Sequence, residues 1–263
     1  MDRVITAVQN ERIKQLRQLN QKKGRREQGL FLAEGPHLVE EAVKSGVSIP
    51  WMVVEEGREQ AFQDLLNAMD PMQIIRVSRV VMESISETRT PQGILAVTPL
   101  RLQPWQDHDL EPGLILILDN LQDPGNMGTI IRTADAAGAD GVLVSTDSVD
   151  VHNPKCVRAT MGSIFHLPLW SCEDLPAAIR AMTERGWAVL CGDLKGTDFF
   201  SRRIEAQGQA LIVGNEAAGV RAEVAQAASH RFRLAMAGRA ESLNAAVAAG
   251  IMIYDLARSM GRL

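Results

Sequence analysis

The sequence of 263 residues contains little cysteine and no arrangement of side chains that is typical of a metal site. Its three cysteines, Cys156, Cys172 and Cys191, are too few and too scattered for a disulfide framework or a CxxC zinc clip. The five histidines form neither an HxxxH nor an HxH pair. We therefore expect no structural disulfides and no bound metal.

Long hydrophobic runs are also missing. No run approaches the roughly 20 apolar residues of a membrane-spanning helix, and the first residues, MDRVITAVQNERIK, lack the apolar core of a signal peptide. These absences predict a soluble protein of the cytoplasm. With 46% hydrophobic residues, the chain still has ample material for the cores of one large or two modest domains.

An excess of positive charge is missing as well, since the formal net charge is −4. This argues against general coating of nucleic acids, yet one short segment is rich in basic residues: Arg12, Lys14, Arg17, Lys22, Lys23, Arg25 and Arg26. One interpretation is that this basic segment holds RNA by phosphate contacts, made chiefly by Lys22, Lys23, Arg25 and Arg26. The alternative is a solvated basic helix with no ligand.

The first part of the chain alternates between short helical and strand patterns. Helices are predicted at residues 10–20, 36–44 and 59–68, strands at 30–35, 51–54, 74–77 and 93–97, and a polar loop at 21–29. This pattern indicates a small α/β domain. Residues 99–113 contain three prolines and show no clear period, as linkers do, so we predict two domains, 1–107 and 108–263.

Beyond this linker, buried-strand and helix patterns alternate regularly. Strands are predicted at residues 114–118, 141–145, 165–170, 187–191, 210–213 and 232–235, with helices at 127–137, 155–161, 175–185 and 221–228. Continuous apolar runs such as LILIL are typical of parallel strands covered on both faces. The pattern predicts a doubly wound parallel sheet, whose ligands bind at the carboxyl ends of the strands.

The stretch MAGRAESLNAAVAAGIMIYDLAR, residues 236–258, holds no charged residue between Ser242 and Tyr254. Leu243, Val247, Ile251 and Tyr254 recur at helical spacing, and the opposite side is almost as apolar. Such a helix should be buried on several sides, by its own domain and by a partner subunit. The polar residues at its start make that junction a candidate site.

Three loops at predicted strand ends carry polar side chains. Asn126 and Arg132 follow LILIL, Glu216 follows ALIV within GNEAAG, and Ser242 with Asn244 follow FRLA. Taken singly, each has a structural interpretation. Asn126 and Ser242 could cap helices, Arg132 could be a solvated charge, and Glu216 could stand in a simple glycine turn.

Together and in order, the three blocks resemble the signatures of the SpoU, or TrmH, family of RNA 2′-O-ribose methyltransferases within the SPOUT superfamily. The matching stretches are NMGTIIRTA, GNEAAG and MAGRAESLN, and the resemblance covers residues 114–258. Through FLAEGPHLVEEA and TPQGILAV, the first domain resembles the family's ribosomal-protein-like (L30e-like) RNA-binding domain.

The resemblance implies a catalytic domain with a deep trefoil knot, a homodimer and S-adenosylmethionine as cofactor. Its implied cofactor-binding residues are Gly192, Gly214, Leu234, Met236 and Leu243. Its implied catalytic residues are Asn126, Arg132, Glu216, Ser242 and Asn244. In our interpretation Arg132 stabilises the reacting oxygen, Asn126 places the ribose or its phosphate, and Glu216 orients the guanidinium.

Other functions fit the sequence less well. A Rossmann dehydrogenase or a P-loop enzyme would need a glycine-rich phosphate loop, and a serine hydrolase would need a GxSxG elbow, none of which occurs. An RNA-binding protein with a decayed catalytic site is the non-enzymatic alternative. The first domain favours ribosomal RNA as substrate, with transfer RNA as the alternative.

Overall fold

The computed structural model describes residues 4–106 and 111–263 and contains two compact units. The first unit takes in the chain up to Arg101 together with Asp150–His166, and the second takes in Leu102–Val149 and Leu167–Leu263. The compact units therefore do not follow a single cut of the chain, and the functional division into 1–107 and 108–263 stays a prediction. Within the described ranges, no helix combines the length and hydrophobicity that crossing a bilayer would require.

The first half of the chain contributes the elements α1 Glu11–Gln18, α2 Lys22–Gln28, β1 Leu30–Glu34, α3 Pro36–Lys44, β2 Trp51–Glu55, α4 Gln63–Asn67, β3 Ile74–Val77, α5 Arg79–Ile85, β4 Ile94–Pro99, β5 Leu102–Pro104 and β6 Leu114–Leu118. The rest contributes α6 Pro124–Ala136, β7 Gly141–Ser145, α7 Pro154–Thr160, β8 Leu169–Cys172, α8 Leu175–Glu184, β9 Ala188–Asp198, β10 Gln209–Val213, α9 Ala222–Ala227, β11 His230–Arg233 and α10 Ala245–Ser259.

The first unit is built on a four-stranded sheet in the order β1-β4-β2-β3. Strand β4 runs antiparallel to both of its neighbours, whereas β2 and β3 are parallel. Buried side chains of α1 and α5 pack on this sheet and close its core, among them Ile13, Leu16, Val81 and Ile85. The small α/β domain predicted from the sequence is confirmed, with α5 as a helix that the pattern did not indicate.

The predicted loop at residues 21–29 is wrong, because most of it forms helix α2. Its Gly24 is not a helix breaker here: a Cβ at this position would lie 2.1 Å from the carbonyl oxygen of Gln18. Glycine therefore lets α2 pack closely on the end of α1. Gly29 ends the helix with a left-handed φ of 68°, which glycine adopts without strain.

The expected phosphate contact by Arg25 is also wrong, because this side chain is buried. Arg25 is only 3% exposed, and its Nη2 lies 2.6 Å from Oδ2 of Asp150. Its Nη1 donates to the carbonyl oxygens of Leu19 and Asn20. Removing one partner of such a buried ion pair typically costs about 3–5 kcal/mol. Arg25 holds the first unit together and cannot reach a phosphate.

His152 lies beside this ion pair in the first unit. Its Nε2 accepts a 2.9 Å hydrogen bond from the backbone N–H of Arg101, which leaves the proton on Nδ1, 3.4 Å from Oδ1 of Asp150. The ring is 4.8 Å from that of Phe31. Burial lowers the pKa of His152, although Asp150 acts in the opposite direction.

The second unit contains a seven-stranded sheet in the order β11-β9-β10-β6-β7-β8-β5. Each of its pairings among the described residues is parallel, so the predicted doubly wound parallel sheet is confirmed. Strand β6, the LILIL run, is fully buried between β10 and β7. Its carboxyl end therefore lies at the centre of the sheet edge.

One strand prediction and the linker prediction need correction. Residues 165–170 do not form one strand, because Ser163–Phe165 is a 3₁₀ turn and β8 begins only at Leu169. The apolar side chain of Phe165 does not belong to a strand; its ring stacks on that of Phe31 in the core of the first unit. Strand β5 lies inside the predicted linker and pairs with β8 at the edge of the sheet.

Helix α10 is buried on one side and exposed on the other. Its buried side consists of Ala246, Ala249, Met252, Ile253, Leu256 and Ala257. Val247, Ile251 and Tyr254 form an apolar stripe on the outside, at 51%, 40% and 44% exposure. The chain's own fold therefore covers only part of this apolar helix.

Candidate functional site

The three polar loops follow the carboxyl ends of β6, β10 and β11 and meet at one place. The segment after β6 leads into α6, the segment after β10 carries Glu216, and the segment after β11 leads into α10. Strands β6 and β10 are adjacent, which brings the first two loops together. Helix α10 packs on α6, and a Cβ at Gly250 would lie 3.6 Å from the Thr133 methyl group.

Glu216 is held by three hydrogen bonds, two from the loop after β6 and one from the first turn of α6. Its Oε1 accepts from the backbone N–H of Asp123 at 3.0 Å and from Nδ2 of Asn126 at 3.1 Å. Its Oε2 accepts from the backbone N–H of Gln122 at 3.1 Å. Burial tends to raise the pKa of Glu216, but these hydrogen bonds outweigh it and hold the pKa below the ordinary value. Glu216 is thus a fixed, charged acceptor.

Asn126 links all three loops. While its Nδ2 donates to Glu216, its Oδ1 accepts a 3.0 Å hydrogen bond from Nδ2 of Asn244. Oδ1 of Asn244 in turn accepts from the backbone N–H groups of Ala246 and Val247 at the start of α10. The result is a continuous chain from Glu216 through Asn126 to the N-terminus of α10.

The helix caps differ from the simple structural interpretations. Asn126 does not cap α6, because that position belongs to Asp123, whose Oδ1 accepts from the backbone N–H of Asn126 at 2.8 Å. Ser242 does not cap α10, because Asn244 does. Asn126 and Asn244 therefore bind each other through atoms that the caps leave available.

Arg132 lies on the exposed face of α6, six residues after Asn126 and so about 9 Å further along the helix axis. Across the part of the chain that the structure describes, its guanidinium forms no hydrogen bond or ion pair, and neither does the Ser242 hydroxyl. The expected contact in which Glu216 orients Arg132 is not formed, because the Glu216 carboxylate is occupied by the loop after β6.

Sequence reasoning missed two asparagines that shape these loops. Asn215 Oδ1 accepts from the backbone N–H groups of Ala217 and Ala218, and its Nδ2 donates to the carbonyl oxygen of Asn120 at 2.9 Å. Asn120 has a left-handed φ of 54°, which is uncommon outside glycine and concentrates at functional sites. Their position directly after β10 and just beyond β6 is the signal that could have identified them.

An ion pair between Asp119 and Arg221 was also missed. Asp119 follows β6 directly and is completely buried, and its Oδ1 lies 2.7 Å from Nη2 of Arg221. Arg221 stands immediately before α9. Its Nη1 lies 3.0 Å from Oδ2 of Asp147, which is in the loop after β7. A charged residue directly after a buried strand is the available sequence signal.

The expected cofactor residues lie on β9 or in the segments after β10 and β11, and these three strands are neighbours in the sheet. Gly214 follows β10 and Leu234 follows β11, while Gly192 comes just after Cys191, which pairs with Ile212. The two glycines are partly exposed and offer backbone hydrogen-bonding groups. Beside them, the partly exposed side chains of Leu234, Met236 and Leu243 offer an apolar surface. This combination fits the adenosine part of S-adenosylmethionine.

Two backbone features shape that edge. A Cβ on Gly214 would lie 2.3 Å from the backbone of Gly219, so only glycine lets the Glu216 loop close on itself. The strands β9 and β11 lose register between Arg231 and Phe232, which leaves residues 192–196 of β9 outside the pairing. Cys191, the last paired residue before that segment, has its pKa raised to about 12 by burial and by Asp193.

The chemistry available at this site is that of fixed polar groups. It offers a charged carboxylate, two amide side chains in a defined orientation, and an exposed guanidinium on the same helix as Asn126. Among the described residues, no group of His, Cys, Asp and Glu side chains is placed to hold a metal ion. Such a site can position a neutral hydroxyl and stabilise negative charge that develops on it.

Comparison with known proteins connects this geometry to a family. The family described as "SpoU rRNA Methylase family" matches residues 113–254, and the "MRM3-like substrate binding domain" matches residues 10–96.

Individual proteins agree over nearly the whole length. The chain is 36% identical over 253 residues to the 23S rRNA (guanosine(2553)-2′-O)-methyltransferase RlmP of Bacillus subtilis, covering 96% of this chain and 98% of that protein. It is 34% identical over 257 residues to an uncharacterized tRNA/rRNA methyltransferase of Synechocystis, covering 97% and 93%. The crystal structure of an AdoMet-bound rRNA methyltransferase from Sinorhizobium meliloti superposes with a TM-score of 0.85 at 34% identity, covering 98% of both chains.

Proposed function

The chain belongs to the SpoU rRNA methylase family, and from this premise we propose that it transfers a methyl group from S-adenosylmethionine to a ribose 2′-hydroxyl of 23S ribosomal RNA. Relatives named as 23S rRNA and tRNA/rRNA methyltransferases support this substrate class. The observation that carries the proposal is the chain of hydrogen bonds from Glu216 through Asn126 to Asn244, because it joins all three signature loops at one point.

In this proposal Arg132 faces the reacting ribose. When bound, S-adenosylmethionine would supply a methyl group attached to a positively charged sulfur. The ribose oxygen would bond to the methyl carbon as the carbon–sulfur bond breaks, and the sulfur would leave as a neutral thioether. A ribose hydroxyl is a poor nucleophile, so negative charge must be stabilised on its oxygen while its proton passes to solvent water. A guanidinium with a pKa above about 12 stays protonated and suits electrostatic stabilisation rather than proton removal. Its exposure leaves Arg132 available for that contact.

Asn126 is the group that we expect to place the ribose or its phosphate. Its amide is fixed at both ends, by Glu216 and by Asn244, so its orientation is set before substrate binds. Glu216 accordingly acts through Asn126 rather than through Arg132. Ser242 stands two residues before Asn244 in the same loop and is exposed, which leaves its hydroxyl available to the substrate. Gly192, Gly214, Leu234, Met236 and Leu243 would hold the cofactor.

The first unit is proposed to hold the RNA through the exposed cations of α2. Lys22, Lys23 and Arg26 are exposed on this helix, whereas Arg25 is excluded by its burial. The matching substrate-binding domain spans residues 10–96 and includes α2. Phosphate contacts of this kind give affinity without sequence preference, which suits a surface that holds RNA for a separate catalytic site.

We further propose a homodimer that uses the apolar stripe Val247, Ile251 and Tyr254 of α10. These side chains are between 40% and 51% exposed at helical spacing, on a helix whose other side is buried. A second copy is the occupant that fits best, because the stripe begins three residues after Asn244 and a partner there would border the site.

A deep trefoil knot formed by the C-terminal part of the chain is also a proposal. It is supported by the family match across residues 113–254 and by the parallel sheet. Chains rarely form knots, so this feature would be specific to the family rather than a general property of such sheets. Tracing the backbone in an experimental structure with S-adenosylmethionine bound would test it.

The main experiment uses purified protein, tritium-labelled S-adenosylmethionine, and RNA from cells that lack the gene. We expect label in 23S ribosomal RNA, recovered as a 2′-O-methyl nucleoside after digestion, and much less label with Arg132→Ala. Label in transfer RNA instead would favour the alternative substrate. No label in any RNA, or label on a base, would contradict the proposed function.

A further inference from the structure

Asp119 is a buried carboxylate that is completely satisfied by a single residue. Its Oδ2 accepts from the backbone N–H of Arg221 at 2.8 Å, and its Oδ1 accepts from Nε of Arg221 at 2.8 Å. Nη2 of Arg221 lies 2.7 Å from the same Oδ1. Burying a carboxylate is costly unless it is paired and hydrogen-bonded, and this geometry meets both conditions. The pair therefore fixes the backbone of Arg221 as well as its side chain.

Arg221 and Asn215 stand at the two ends of the loop that carries Glu216. At the start of that loop, Nδ2 of Asn215 donates to the carbonyl oxygen of Asn120. At its end, Arg221 is bound to Asp119. Asp119 and Asn120 are consecutive residues, so both ends of the Glu216 loop are attached to the same point beyond β6.

The groups that bind Glu216 continue from that point. The chain runs from Asn120 to Gln122 and Asp123, whose backbone N–H groups donate to the Glu216 carboxylate. Donors and acceptor therefore lie on two segments whose spacing is set by the bond between Asp119 and Arg221. A displacement of about 1 Å at a catalytic site can cost about a hundredfold in rate.

We propose that Asp119 and Arg221 are positioning residues for methyl transfer, because their ion pair fixes the Glu216 loop and thereby holds Asn126 in its working orientation. This inference rests on the proposed function. Neither residue belongs to the three signature stretches. The bond from Arg221 to Asp147 extends the same clamp to the loop after β7, so three neighbouring strand ends are joined through one guanidinium.

The matched control is an ion pair at the opposite end of the same strand. Nη2 of Arg262 lies 2.6 Å from Oδ2 of Asp140, and that oxygen accepts from the backbone N–H of Leu114, the first residue of β6. The Arg262 and Arg221 side chains are similarly exposed, at 24% and 32%. Asp140 is 49% exposed whereas Asp119 is fully buried, so Arg262→Gln removes a more exposed ion pair near the start of β6 without touching the candidate site.

Single-turnover methyl transfer at saturating RNA and S-adenosylmethionine would test the proposal. We expect Arg221→Gln to lower the rate by about 10- to 100-fold, the range seen when a group that orients a functional residue is lost. Arg221→Lys should fall between this variant and the wild type, because charge remains but the fork of donors is lost. Arg262→Gln should stay within about twofold of the wild type.

The coupling to Glu216 separates positioning from general stability. If Arg221 acts through Glu216, the double variant Glu216→Gln with Arg221→Gln should be about as slow as Glu216→Gln alone. If the rate of the double variant is reduced by the product of the two single reductions, the proposal is overturned. An Arg221→Gln variant as fast as the wild type would also overturn it. If Arg221→Gln does not fold, Arg221→Lys carries the same comparison. An inactive wild type would overturn the proposed function instead.

A measurement without turnover gives a second test. The Glu216 carboxyl carbon can be assigned by NMR through its absence in Glu216→Gln, and titrated in the protein alone. In the wild type, hydrogen bonds hold the pKa of Glu216 below the ordinary value although burial opposes them. Arg221→Gln should raise this pKa, whereas Arg262→Gln should not. An unchanged pKa in Arg221→Gln would contradict the clamp.

Discussion

The side chains of Asn126 and Asn244, 118 residues apart, are joined by a 3.0 Å hydrogen bond. This bond connects the helix after the central strand with the last helix of the chain. It also leaves each asparagine with a second partner, Glu216 for the first and the N-terminus of α10 for the second. The two functions of Asn244, capping a helix and holding Asn126, can therefore be separated by mutation.

Asn244→Ser should preserve the helix and impair the reaction. Serine caps a helix about as well as asparagine, so stability should change by no more than about 0.5 kcal/mol. The donor to Asn126 is lost, and we expect a rate decrease of about tenfold, the equivalent of one lost hydrogen bond. Single-turnover rates and urea denaturation would measure the two effects. Asn153→Ser, at the cap of α7, is the control and should leave the rate unchanged.

Arg132→Ala should reduce the single-turnover rate by roughly a hundredfold or more, as the loss of an oxyanion donor does, while cofactor affinity is retained. Arg132→Lys should keep partial activity because the positive charge remains. Arg180→Ala, which removes an exposed arginine from α8, should have little effect. A new rate-controlling pKa in Arg132→Lys, well below that of free lysine, would mean that the residue at this position removes the proton.

Replacing Lys22, Lys23 and Arg26 together by alanine should weaken RNA binding and flatten its salt dependence. The logarithm of the binding constant falls as the logarithm of the salt concentration rises, and each lost phosphate contact makes this slope less steep by about 0.7 to 0.9. Loss of all three exposed cations should therefore make the slope less steep by about 2 to 3. Cofactor affinity should not change. Lys44→Gln, on α3 and paired with Glu40, is the control. An unaltered slope would exclude α2 from the RNA-binding surface.

Acid should destabilise the first unit through His152 and Asp150. Burial lowers the pKa of His152, and hydrogen bonds from His152 and Arg25 hold the pKa of Asp150 low although burial opposes them. For both groups the pKa in the folded protein lies below the pKa in the unfolded chain. Their contribution to folding stability is therefore fully present at pH values above the unfolded pKa and is lost as the pH falls. As the pH falls, the loss of stability should begin near pH 6.5 for His152 and near pH 3.8 for Asp150.

Urea midpoints at about pH 7.5 and about pH 5.5 would measure the histidine contribution. His152→Gln keeps an acceptor for the Arg101 N–H, and the difference between the two midpoints should be smaller in this variant than in the wild type. His230→Gln removes an exposed histidine from β11 and should leave the difference unchanged. An equal difference in wild type and His152→Gln would contradict the assignment.

Ile251→Glu should disrupt the proposed homodimer. Ile251 lies at the centre of the stripe formed by Val247, Ile251 and Tyr254. If a second copy packs on this stripe, the new carboxylate would be buried without a partner, which is costly in free energy. Sedimentation at micromolar concentration should show a dimer for the wild type and a monomer for this variant. Val80→Glu, at a 63% exposed position of α5, should remain dimeric. A monomeric wild type would refute the proposed interface.

The sheet of the second unit could be predicted because its strands are buried on both faces. A run such as LILIL has few alternatives to a central parallel strand, and β6 and β7 lie where the pattern placed them. Local patterns failed where a residue serves a distant partner. Gly24 was interpreted as a loop residue but permits a close helix contact, and Phe165 was placed in a strand but packs on Phe31.

The candidate site was only partly accessible from the sequence. Asn126, Glu216 and Asn244 stand out because they follow buried strands, and their common location came from the family resemblance rather than from spacing. Asp119 and Arg221 are 102 residues apart, and a single charge in a sequence looks the same whether it is solvated or buried in a pair. Arg25 shows the reverse error, since a basic cluster suggested RNA where one member is an internal ion-pair partner.

The raised pKa of Cys191 has a protective consequence at this edge of the sheet. A thiol whose pKa is raised to about 12 stays protonated at neutral pH, and the thiolate is the form that attacks electrophiles. Cys191 adjoins Gly192, where the methyl donor is proposed to bind. Because burial keeps this sulfur protonated, we expect Cys191 to be a poor nucleophile towards a methyl donor bound beside it.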